Sequence, residues 1–180
     1  MDADTPTLAP WIVRARELAV QPFDEVRGVQ RLVQLWGTDR FVASLTDEEI
    51  SRLNLYIHFV RVAADKELIS QYEQGDFMVI VLEGTVLIDR VQAQGTRVRL
   101  AEAHAGDVVG EMSLLDSGMR FSACRTLTPC TLAVIDAHRL DEMTQHEPRL
   151  GLAVMASLAR RLSLRLRQVS SRLSALLSGR

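Results

Sequence analysis

Gly106-Asp-Val-Val-Gly110-Glu-Met-Ser-Leu-Leu115-Asp-Ser-Gly-Met-Arg120-Phe-Ser-Ala123 is the stretch that decides the reading of this chain. An apolar pair, Val108-Val109, closes on Gly110, and a short helical turn is expected to start at Glu111. A glycine at that junction lets a ligand approach the backbone closely. Helix-start amides at Met112, Ser113 and Leu114 would then point outward, which is the arrangement that binds anions. Arg120 lies across the following loop and can neutralise a phosphate through paired hydrogen bonds. Glu111 can accept a hydrogen bond from a sugar hydroxyl beside it. One anion next to one hydroxyl is the ligand pattern these groups fit.

Around this segment, from Phe59 to about Asp136, the chain reads as short strands divided by turns. Phe77–Leu82 is a continuous apolar strand, Glu83-Gly84 a turn, and Thr85–Arg90 the next strand. Gln92–Gly95 turns the chain, Arg97–Leu100 alternates as a half-buried strand would, and Cys130–Ile135 is a further apolar run. Many short strands at regular spacing imply a sandwich, roll or barrel. Ahead of them, Trp11, Val13 and Leu18 mark a short helix, and Phe23, Val26, Val29, Leu32, Val33 and Trp36 a second. A third helix starts at Thr46, where Thr46 and Glu49 form an S/T-x-x-E capping box. After Glu147, Pro148 suits a first helical turn. Met155, Leu158, Leu162, Leu166, Val169, Leu173 and Leu176 then follow at steps of three and four.

Composition excludes several classes. The chain has 180 residues, enough for one domain with helical additions, and a formal charge of −2 that favours neither nucleic acid nor membrane. Its longest apolar run, Phe77–Leu82, falls far short of the ~20 residues a spanning helix needs. Met1–Pro6 is acidic and small and carries no signal-peptide pattern, so the expected location is the cytoplasm. Cys124 and Cys130, each in a strand-like run, read as reduced core residues. His58, His104, His138 and His146 lack the spacing of a metal site. No Ser–His–Asp or paired-carboxylate pattern stands out, so no catalytic residue, metal or cofactor is expected and the protein is read as a non-enzyme.

The segment resembles the phosphate-binding cassette of cyclic-nucleotide-binding domains, a family that includes the catabolite activator protein and protein kinase A regulatory subunits. Val109-Gly110-Glu111-Met112-Ser113-Leu114-Leu115 matches F/V-G-E-[hydrophobic]-[A/S]-L-L throughout. Gly75-Asp76-Phe77-Met78 with Leu82-Glu83-Gly84-Thr85-Val86 is similar to G-D-x-M-Y-x-[I/L]-x-E-G-x-V, and Leu127–Leu132 to A-L-T-P-C-x-[L/V]. The resemblance runs from roughly Phe41 to Arg167. It implies a mainly β fold: a double-stranded β-helix, a jelly-roll-like β-roll of about eight strands, with N-terminal helices and a long C-terminal helix. The implied division is a helical extension over 1–45, the roll with its leading helix over 46–147, and an amphipathic dimerisation or lid helix over 148–180.

The resemblance also assigns roles. Glu111 binds the ribose 2′-hydroxyl, Arg120 the cyclic phosphate, and Gly110 with the amides near Met112 and Ser113 assists. The ligand implied is a cyclic mononucleotide, cAMP or cGMP. Two departures stand out. Phe121 occupies the place of the family's Ser or Thr after the arginine, and Ser122-Ala123 follows one residue late. Either Arg120 is the phosphate arginine or the chain has slipped and Phe121 fills its place. Strand parity favours Arg120, because that register turns Cys124 inward and Arg125 outward, whereas the other buries Arg125. In the last helix, Arg165 and Leu166 replace the Thr-Ser pair that reads adenine, and Arg165 is expected to face guanine acceptors or stack on a base. Partners follow: a homodimer through the C-terminal helix, an effector protein the sequence does not name, and no specific DNA contact, since the chain ends at Arg180 without the family's winged helix. A roll that binds no nucleotide and serves as an interaction module is the alternative, and a transcription regulator the third.

Overall fold

The computed structural model describes residues 10–178. The reading of Met1–Pro6 lies outside those residues. Two short helices open the described chain, α1 (Trp11–Glu17) and α2 (Glu25–Trp36), joined through a two-residue strand, β1 (Gln21–Pro22). Asp24 caps α2 by accepting the Arg27 amide at 2.8 Å. The next helix, α3 (Asp47–Ser51), starts on the expected box: Thr46 accepts the Glu49 amide while the Glu49 carboxylate accepts the Thr46 amide. This satisfies two otherwise orphaned donors.

Eight strands then build the roll: β2 (His58–Val62), β3 (Glu67–Ile69), β4 (Phe77–Glu83), β5 (Val86–Val91), β6 (Arg97–Ala103), β7 (Val108–Val109), β8 (Ala123–Thr126) and β9 (Cys130–Asp136). Together with β1 they form two antiparallel sheets, ordered β1-β2-β9-β4-β7 and β3-β8-β5-β6. Helices nevertheless contribute more residues than strands, mainly through the long C-terminal helix over Pro148–Ser178. β4 and β9 lie side by side in the first sheet and are buried on both faces, which is why Phe77–Leu82 reads as a solid apolar run. One face packs against Leu68, Ile69 and Val86 inside the roll. The other packs against α2, the C-terminal helices and Trp36, whose indole donates to the Gly106 carbonyl at 3.0 Å.

One expectation, the half-buried strand at Arg97–Leu100, needs correction. Val13 and Val26 are exposed, because only one face of each N-terminal helix meets the roll. Arg97–Leu100 is more open than a half-buried strand, since β6 is the edge of its sheet. Cys124 and Cys130 are free and buried, and burial pushes the Cys124 thiol up to about 12. Asp65 and Tyr72, which stand at turn positions, both adopt positive φ, 59° and 69°. The Tyr72 amide donates to the Arg120 carbonyl at 2.9 Å, so the strained turn is tied to the cassette loop.

After β9 come α4's two C-terminal successors in sequence; α4 itself (Glu111–Asp116) lies in the cassette, followed by α5 (Ala137–His146) and α6 (Pro148–Ser178). Asp136 caps α5 through the Arg139 amide at 2.9 Å and meets the His58 Nε2 at 3.1 Å. Burial works against its charged form, but hydrogen bonds from His58 and Arg139 outweigh that and hold the carboxyl below its usual value. A lowered carboxylate value stabilises the fold above the unfolded value near 3.9, and the contribution is lost as pH falls through the lowered one. Asp136→Ala should therefore cost about 1–2 kcal/mol at neutral pH. Urea titrations across pH should show that deficit vanishing in acid.

Candidate functional site

Glycine makes the cassette possible. Gly110 ends β7 with φ 78°, a left-handed conformation, and α4 starts at the next residue. A Cβ on Gly110 would stand 2.7 Å from Ile69 and 2.9 Å from the Arg120 guanidinium. No other residue type fits there without moving its neighbours. Ser117 closes α4, also left-handed at φ 57°, and the chain returns through Arg120 into β8.

A cavity of about 70 Å³ lies against this turn. Gly110, Glu111, Met112, Ser113, Arg120, Phe121, Ser122 and Arg165, the eight residues expected from sequence, all line it. Residues 110–122 come from one loop, whereas Arg165 arrives from α6, 54 positions beyond Glu111. Sequence reasoning missed Ile69, Ile88, Val109 and Cys124, which complete the wall. Ile88 and Cys124 face each other across β5 and β8, and only their strand alternation signals an inward direction.

Glu111 is 3% exposed. Its carboxylate accepts from Arg165 at 2.8 Å, and Arg165 also donates to the Val108 carbonyl at 2.9 Å. Arg165 thus fastens α6 across the cavity mouth. It contacts a carboxylate rather than open space, so a base-reading role requires it to let go of Glu111.

Arg120 is 1% exposed and donates to two carbonyls, Gly110 and Phe77, each at 2.6 Å. Its guanidinium carbon lies 4.8 Å from the centre of the Phe77 ring. Burial pushes the guanidinium below its usual value, and the nearby Glu73 and Asp76 carboxylates act the other way. The result is a desolvated cation beside the cavity. Cys124 is buried on the cavity side and Arg125 is half-exposed against Asp89, the parity on which Arg120 was singled out. Phe121 is 54% exposed on the rim, with the Arg90 guanidinium 3.9 Å above its ring. The arrangement offers an acceptor, a buried cation and Ser122 around one space, which suits a ligand carrying a hydroxyl and an anion.

The chain is similar to known proteins in sequence family and in fold. Residues 59–147 match the family described as the cyclic nucleotide-binding domain. The cAMP-activated global transcriptional regulator CRP of Haemophilus influenzae is 29% identical over 145 residues, covering 77% of this chain and 65% of that protein. The cGMP-dependent protein kinase egl-4 of Caenorhabditis elegans is 30% identical over 134 residues, covering 74% of this chain and 16% of that one. A crystallised cyclic nucleotide-binding domain from Methylobacillus flagellatus superposes with a TM-score of 0.76 at 23% identity, over 83% of this chain and 84% of that one. This chain therefore spans less than two thirds of the Haemophilus protein's length and a small part of the kinase's. Among the described residues, no helix is long and apolar enough to cross a membrane, and no cluster of metal-ligating residues occurs.

Proposed function

Residues 59–147 of this chain belong to the cyclic nucleotide-binding domain family, and from that premise we propose that the protein is a non-enzymatic cytoplasmic sensor of a cyclic mononucleotide, cAMP or cGMP. The observation that carries the reading is the convergence of Gly110, Glu111, Ser122 and Arg120 on one cavity. Glu111 takes the ribose hydroxyl, Arg120 the cyclic phosphate, and the amides of Met112 and Ser113 support the phosphate. At about 70 Å³ the cavity is far below the ~300–1,000 Å³ of an occupied ligand site. Binding therefore requires the Arg165–Glu111 pair to separate and α6 to shift. The nucleotide favours the open arrangement only by the affinity difference between the two states. Arg165, once released, is free to meet the base.

A second reading, a roll that binds no nucleotide and serves as an interaction module, draws on the same small cavity and on Phe121 at its rim. A thermal-shift series with cAMP, cGMP and a cyclic dinucleotide separates the two. The sensor reading expects a rise in melting temperature with one mononucleotide; no rise with any of them favours the module.

The output is carried by α6. Leu158 is buried against the roll, but Leu166, Val169, Leu173 and Leu176 are more than half exposed. The apolar stripe thus continues well past the surface it covers. A second copy of the helix is the occupant that its spacing suits. Light scattering should give a dimer mass for the intact chain, and Leu166→Glu with Leu173→Glu should give a monomer. A monomeric intact chain would remove this part of the proposal.

A further inference from the structure

We propose that Trp11 and Arg14, in the N-terminal helix outside the family match, are positioning residues for Arg120; this rests on the reading of Arg120 as the phosphate anchor.

Arg120 is held from behind by residues 72–77. Its amide donates to the Glu73 carbonyl at 2.8 Å, its own carbonyl accepts the Tyr72 amide, and its guanidinium meets the Phe77 ring and carbonyl. A Cβ on Gly75 would stand 2.4 Å from the guanidinium, so this segment is wrapped against the cation. Helix α1 closes the outer side of the wrap at three points. The Trp11 ring lies 5.3 Å from the Phe77 ring, at 57° to it. The Trp11 amide donates to Asp76 Oδ1 at 3.0 Å. The Arg14 guanidinium pairs with the Glu73 carboxylate, which also accepts the Ser70 amide.

Phe77 therefore has Trp11 on one contact and Arg120 on another, and Glu73 has Arg14 on its side chain and Arg120 on its backbone. The Arg14 and Glu73 side chains are 12% and 8% exposed, so the pair is largely out of water. Removing Arg14 leaves a buried carboxylate without its nearest cation, and Glu73 is then free to turn toward Arg120 and draw it from the cavity. Removing Trp11 leaves a void beside Phe77, the surface on which the guanidinium lies. In both cases the effect on ligand passes through the placement of Arg120, which only the phosphate meets.

The test follows from that specificity. Calorimetry would compare cAMP with adenosine, which lacks the phosphate, for the wild-type chain, Trp11→Ala and Arg14→Gln. The expected result is at least a tenfold rise in Kd for cAMP with adenosine unchanged, and recovery in Trp11→Phe, which keeps a ring against Phe77. Equal losses for both ligands, or no loss for either, would overturn the proposal. Should the wild-type chain bind neither ligand, cGMP and guanosine take their place; should it bind none of the four, the sensor reading fails and positioning is judged on the free protein. There the Arg120 Nε–Hε signal, assigned by its disappearance in Arg120→Lys, should move in Trp11→Ala and Arg14→Gln and return in Trp11→Phe. An unmoved signal contradicts the proposal whatever the ligand does.

Discussion

Arg120→Ala should weaken cyclic-nucleotide binding by about 2–5 kcal/mol, roughly 30- to several-thousand-fold, because a buried phosphate would lose its charge partner. The same substitution should also destabilise the unliganded fold. Its guanidinium holds the Gly110 and Phe77 carbonyls, and truncation leaves both without that donor beside a new void. A shift in the urea midpoint would read the second effect separately from the first. Arg120→Lys keeps the charge but not a fork that reaches two carbonyls, so it should bind with intermediate affinity. A protein in which Arg120→Ala binds as well as wild type would place the phosphate elsewhere in the loop.

Glu111→Ala should lose about 1–3 kcal/mol of affinity, the worth of a hydrogen bond from a ribose hydroxyl to a charged acceptor. It has a second consequence that Arg120→Ala lacks. Glu111 is also the residue to which Arg165 fastens α6. Without it, amides around residues 161–169 should exchange faster in the free protein. Arg165→Ala should reproduce that faster exchange while keeping the ribose acceptor. Loss of affinity in Glu111→Ala with unchanged exchange on α6 would mean that the pair does not hold the helix.

Much of this site was legible because its chemistry is concentrated in one loop. The Gly110-Glu111 junction, the short helix after it and the arginine across the loop follow from residue types within eleven positions. Asp65 and Tyr72 take positive φ although neither is glycine, and nothing in their own residue types announces it. Long-range contacts were not legible. Nothing local to Arg120 says that it turns onto the Phe77 carbonyl, 43 positions earlier, or that Glu73 and α1 lie behind that contact. The pairing of Arg165 with Glu111 was not foreseen either, because the crossing of α6 over the cassette is set by packing around Leu150, Val154 and Leu158. Val13 and Val26 sit in the expected helices yet are exposed. Periodicity names a face, but which part of it is covered depends on where the roll ends.

The cavity at Gly110 and Glu111 is expected to open and take one cyclic mononucleotide per chain. Isothermal titration of the wild-type chain with cAMP and with cGMP, set beside Arg120→Ala, tests it most directly. Saturable binding of at least one of them at one site per chain is expected, lost or greatly weakened in the variant. Absence of heat and of saturation with both would contradict it.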